Sequence, residues 1–315
     1  MNNFSTTPTD PYVIAKNRLL GKYGNVVGLS VGITMVVLQC LSLLAGTLLQ
    51  GKITPLIDHW VQIVYSLLLT AIPSLLVLLL ARRPLRSVAR FAAPDKALWL
   101  PVTLAAQGAY MLAHYLTQVV SIGNYEAMVG ELPADSPYIV ILTFIVYAAV
   151  PALCEELLVR GVLMGVLRPL GDGFAIVASA AVFGIMHGNL MQAPSAFAAG
   201  LLFGYIAVKT GSLWPGIIAH FINNFISTAV QYANQIYGEG VGLALNYTAF
   251  LLMLLGGIIG VYMLAAKRPR FFQLIRKDDR VEGVQYGRFY RSSGMIVLYV
   301  VCGLLAIRYL IVYGI

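Results

Sequence analysis

The stretch YIVILTFIVYAAVPALCEELLVR, residues 138–160, decides the fold. Seventeen uncharged residues, 138–154, run without a break into Glu155 and Glu156. A bilayer-spanning helix takes about 20 apolar residues, so the run Tyr138–Leu158 predicts one. Working outward, eight further runs of the same kind occur: Val26–Leu49, Trp60–Ala81, Leu98–Val120, Phe174–His187, Ser195–Val208, Leu213–Ala233, Val241–Ala266 and Gly294–Tyr313. The expected fold is an all-α polytopic membrane protein with about nine transmembrane helices, or eight if one of the two short runs crosses only part of the bilayer. The division expected is helices 1–3 over 1–137, a core of helices 4–7 over 138–232, and helices 8–9 over 233–315. Composition agrees: 59% of the 315 residues are hydrophobic and 11% are charged, against about 25% charged in an ordinary soluble chain.

Charge gives an independent check, because cytoplasmic loops collect Lys and Arg. With the N-terminus inside, Lys16, Arg18 and Lys22 fall on the cytoplasmic side. So do Arg82, Arg83, Arg86, Arg90, Lys96, Arg160, Arg168, Lys209 and the eight basic residues of the loop 267–291. Nineteen of 21 lie inside, leaving Lys52 and Arg308, while Glu126, Glu131, Asp135 and Glu239 lie outside. Dropping one span would scramble the alternation, so nine helices with the N-terminus in and the C-terminus out are expected. The +8 balance is then a topology signal and implies no nucleic acid. The basic loop 267–291 is expected to rest on anionic headgroups. Cys40, Cys154 and Cys302 are too scattered for a disulfide framework or a metal knuckle. The first run is too long for a cleaved signal peptide. Glycine pairs such as Gly28/Gly32, Gly200/Gly204 and Gly256/Gly260 predict close helix packing.

Charged groups in a span cost several kcal/mol, on the order of 3 by insertion scales, and mark function by default. Glu155 and Glu156 are the only carboxylates inside an apolar run; the lack of any Asp inside one argues against an aspartyl mechanism. Adjacent residues point about 100° apart on a helix. Glu156 shares a face with Arg160 at i,i+4, a favourable pair, which predicts Glu156–Arg160 as a structural ion pair and Glu155, without a partner on its own helix, as a base. His187 ends the fifth run, with Phe183 one turn before it. His220 lies inside the seventh, with Asn224 at i+4 and Asn223 slightly to the side. By depth, His220 stands roughly 10 Å from the inner end of its helix and His187 roughly 20 Å from the end of its own, so they converge only if the fifth helix starts deeper, tilts or bends. His59 is expected at the interface and His114 in a packing role.

A carboxylate and two imidazoles, with an amide beside them, are the inventory for activating a water and stabilising an oxyanion. His187, His220 and Glu155 could equally be ligands of zinc, although no His-Glu-x-x-His helix is present; both mechanisms stay open. The GxSxG string Gly28–Gly32 lies inside a helix, where no nucleophile elbow forms, and Cys154 has no His one turn away.

Glu155-Glu156-Leu-Leu-Val-Arg160, Phe183-Gly-Ile-Met-His187 and His220-Phe-Ile-Asn-Asn224 resemble, in order, the EExxxR, FxxxH and HxxxN motifs of the CPBP family. These are type II CAAX prenyl endopeptidases and bacteriocin-processing or immunity proteins, also called Abi. The likeness covers about residues 138–232. It implies an intramembrane endopeptidase acting on a peptide or protein substrate in the bilayer. In it Glu155 activates water, His187 orients the water, His220 and Asn224 form the oxyanion site or bind a metal, and Glu156, Arg160, Phe183 and Asn223 support them. Family members are commonly called metalloproteases. The short loops point to a prokaryotic cell membrane. A non-catalytic immunity or scaffold protein and a proton-coupled transporter relaying through Glu155 are the competing readings; substrate and oligomeric state are not legible.

Overall fold

The computed structural model describes residues 10–48, 54–118, 131–134, 136–273 and 283–313. Lys52, Glu126, Asp135, Arg276, Lys277 and Arg280, which the charge argument used, lie outside them. Among the described residues nine helices of 14 or more residues form, one over each apolar run, and no strand. They are α1 (Pro11–Leu48), α2 (Pro55–Ala81), α3 (Trp99–Gln118), α4 (Pro137–Leu170), α5 (Asp172–Ile185), α6 (Ala193–Thr210), α7 (Trp214–Tyr237), α8 (Glu239–Lys267) and α9 (Ser293–Tyr313). The chain is thus an all-α polytopic membrane protein. α1, α2, α4, α6, α8 and α9 are long and apolar enough to cross a bilayer. α3 and α7 have the length but carry too many polar residues. α5, at 14 residues, is about 21 Å long, short of a hydrocarbon core of about 30 Å.

Local signals explain the helix starts. Thr54 caps α2 by accepting from the Ile57 amide at 3.3 Å, and Ser136 caps α4 by accepting from Ile139 at 3.3 Å. Each cap precedes a proline at the first helical position, where no amide hydrogen is needed. α4 departs from the expected span. It continues past residue 158 to Leu170, with widened π turns at Ile145–Ala149 and Leu157–Leu163. Pro151 follows the first of these, where it cannot donate to the preceding turn; the second follows Glu156 directly. Arg160 is therefore not a loop residue but a helical one, 1% exposed, because its charge is neutralised one turn away. Lys16, Arg18 and Lys22 likewise lie in the first turns of α1, not in a loop, and Lys16 is buried against the rings of Tyr12 and Tyr286.

α4 and its neighbours α5, α6 and α7 hold much of the core, where Leu158, Val162, Leu163, Val182, Phe183 and Phe203 are buried together. α1 packs on α2 and α9, and α3 on α8. The glycines sit at the crossings: a Cβ on Gly28 would fall 2.2 Å from the Gly294 backbone, one on Gly200 2.7 Å from Ala180, and one on Gly260 2.5 Å from the Ala105 nitrogen. Such approaches are possible only without side chains.

The segments between helices also touch. At one end Leu213 donates to the Arg90 carbonyl at 3.0 Å, Trp214 to Phe91 at 2.9 Å, Lys209 to Gln273 at 2.6 Å, and Arg268 pairs with Asp95. Asn17 holds Gly283 and Gln285 there at 3.2 and 2.7 Å. At the other end Tyr232 and Gln235 hold residues 132–133. Each contact joins segments that the charge alternation assigns to one side. The ends of the basic loop thus dock on helices, with Phe289 buried.

Candidate active site

Glu156 is 1% exposed, and its Oε1 lies 2.9 Å from Nη1 of Arg160. The contact is off the line of a good hydrogen bond, so it is chiefly Coulombic. Arg160 also donates from Nη2 to the Ala199 carbonyl at 3.2 Å, and its guanidinium stands 4.5 Å from the Phe183 ring centre and 5.5 Å from that of Phe203. A charge excluded from water needs such a cage of partners.

The expected ion pair is present, and Glu155, without a partner on its own helix, meets a group from another one. His220, on α7, brings Nδ1 to 3.1 Å from Glu156 Oε1 and Nε2 to 3.7 Å from Glu155 Oε2. The two carboxylates do point apart, as helical geometry requires, and one imidazole fills the angle between them. Glu156 accepts a hydrogen bond from Nδ1–H, which leaves Nε2 facing Glu155. The Glu155 side chain is 26% exposed, in contrast to its neighbour.

His187 lies in the turn after α5, where its Nδ1–H donates to the Phe183 carbonyl at 2.7 Å, so Nε2 is its acceptor. The Phe183 ring stands 4.9 Å from the His187 ring and 6.2 Å from that of His220. The two imidazoles thus flank one ring, with α5 only 14 residues long and starting after Gly171 (φ 129°). His187, His220, Asn223, Asn224 and Phe183 all line one cavity of about 710 Å³. Glu155 is not among the lining residues; its Oε2 stands 3.7 Å from Nε2 of His220, which is.

Sequence reasoning missed several members of this cavity. His114 stacks on Tyr110 (6.0 Å), Tyr110 on Phe203 (6.1 Å), and Phe203 lies against His220 (5.9 Å). This column joins α3, α6 and α7 and has no signal within any one helix. Glu131, Gln235 and Glu239, exposed at the end away from the basic loops, line the mouth. His59, expected at the interface, is instead buried and bonded through Nε2 to Thr143 of α4 at 2.8 Å. It takes no part in the cavity.

Zinc is a separate question. Both imidazoles have Nδ1 engaged and Nε2 turned outward, as metal-bound histidines do. Among the described residues, however, no three His, Cys, Asp or Glu side chains gather as an ion would require. The set His187, His220 and Glu155 does not fit zinc in this arrangement.

Compared with curated proteins and with solved structures, the chain finds no match. Residues 137–226, which contain every side chain from Glu155 to Asn224, match the family model described as Type II CAAX prenyl endopeptidase Rce1-like.

Proposed function

We propose that the protein is an intramembrane endopeptidase that hydrolyses a peptide bond in a membrane-delivered peptide or protein tail, of CAAX or bacteriocin-leader type. The observation that carries this reading is the His220 imidazole, held between Glu155 and Glu156 beside a cavity that also presents His187 and Asn224. Glu156 is held by Arg160 and fixes the His220 ring. Glu155 keeps access to water and serves as the base. For this the Glu155 side chain turns past His220 Nε2 into the cavity, where His187, with Nε2 as acceptor, holds one water hydrogen while Glu155 removes the other. The hydroxide adds to the scissile carbonyl, and the oxyanion accepts from the Asn224 amide and from His220 Nε2–H when that nitrogen is protonated. Glu155 then passes the proton to the departing amine as the C–N bond breaks. The scheme needs no zinc, and elemental analysis of purified active protein is expected to find far less than one per chain.

The test is cleavage of a reporter peptide by protein in nanodiscs. Glu155→Gln and His220→Ala, folded by circular dichroism, are expected to lose at least about 100-fold in kcat. Retained cleavage overturns the reading. A wild type that binds peptides and cuts none favours the immunity or scaffold alternative, and proton flux into proteoliposomes lost in Glu155→Gln favours the transporter.

A further inference from the structure

The cavity wall holds an amide with nothing to bind. Asn223 is 5% exposed, and neither its Oδ1 nor its Nδ2 has a hydrogen-bond partner among the described residues. An unsatisfied buried amide destabilises the fold that holds it. Asn223 begins a row on the cavity face of α7 that continues through Ser227, Gln231 and Asn234. Eleven residues of helix cover about 17 Å, the length of about five residues of extended chain.

The same helix shows what such an amide does with a chain laid across it. Gln235 accepts from the Leu132 amide at 2.8 Å and donates to the Leu132 carbonyl at 2.9 Å. One side-chain amide thereby satisfies both main-chain groups of one residue in a non-helical segment.

We propose that Asn223 binds the substrate main chain, gripping N–H and C=O of one residue in an extended peptide laid along α7, so that the cavity recognises polypeptide backbone. This rests on the endopeptidase reading and names what that site binds. Both amide atoms are buried in the unliganded structure, so the proposal requires the side chain to turn into the cavity it lines, where a bound peptide supplies the two hydrogen bonds it lacks. The competing explanation is a structural bond to Gln107 of α3. Gln107 donates to the Ala219 carbonyl one turn before Asn223, and its own Oε1 is buried without a partner.

The test uses full-length protein in nanodiscs and a pool of fluorophore-labelled dodecapeptides, half ending in a farnesylated cysteine. The tightest binder of Glu155→Gln protein is resynthesised with each backbone amide N-methylated in turn. Adding Asn223→Leu is expected to weaken its binding about tenfold. One N-methyl position should do the same, and the two losses should not add. In otherwise wild-type protein the substitution is expected to raise KM about tenfold, with kcat within about twofold. Because it removes an unsatisfied amide, the unliganded variant should unfold at a higher temperature; Asn223→Ala, which adds no bulk, guards against misfit of the leucine. Unchanged binding and KM, additive losses, or a lower unfolding temperature in both variants overturns the proposal, the last in favour of the Gln107 bond. If wild type cuts nothing and Glu155→Gln binds nothing, the endopeptidase reading falls too; a cut peptide whose KM ignores Asn223 overturns the main-chain role alone.

Discussion

Arg160 shows how much of the site depends on a residue that need not touch substrate. Its guanidinium ties α4 to the Ala199 carbonyl of α6 and lies against Phe183, the ring that stands by both imidazoles. Arg160→Met would leave Glu156 charged in a dry interior and is expected to cost about 3–5 kcal/mol, read as a fall in unfolding temperature in detergent. Adding Glu156→Gln should recover part of that loss, because an uncompensated charge costs more than a neutral pair. This part of the site was legible in the sequence because four-residue spacing on one helix fixes the two ends of the pair. The contact of His220 with Glu155 was not, since it depends on how α7 sits against α4. His59 was misread for the same reason: its partner, Thr143, is 84 positions away.

At the scale of elements, each apolar run became a helix, but α4 outran its expectation. A sequence reading stops a span at an arginine, whereas a helix stops only when its hydrogen bonds or its environment fail. The widened turn after Glu156 was also invisible, since residues 157–163 contain nothing that forbids a regular helix. The helix crossings were legible as glycine spacings, though the partner of each was not. They make a sharp prediction: Gly260→Ala forces a Cβ toward the Ala105 backbone and should cost about 1–3 kcal/mol. Gly240→Ala, which meets nothing within 4 Å, should be within about 0.5 kcal/mol of wild type. Thermal unfolding of both variants in the same detergent checks the contrast.

For the whole molecule, the two ends of the bundle differ. The segments joined at one end include Arg90, Lys209, Arg268 and Arg270, while the cavity opens at the other beside Glu131 and Glu239. If the alternation of charge sets topology, these ends face opposite sides of the membrane. In protein lacking Cys40, Glu239→Cys should react with an impermeant maleimide from the outside of intact cells, and Arg270→Cys only after lysis. Labelling of both from one side would break the nine-span arrangement.

The acidic mouth has a kinetic consequence. Carboxylates at the rim of a cavity walled by low-dielectric protein focus field lines outward, so a peptide bearing lysines is drawn toward the opening before any side chain touches it. Encounter rate, more than fit, would then separate cationic from neutral tails. Raising ionic strength shortens the Debye length to about 8 Å at physiological salt and should slow capture of the cationic peptide while leaving the neutral one nearly unchanged. The end of the molecule that is poor in lysine and arginine would thus act as a charge filter, sorting substrates by their approach.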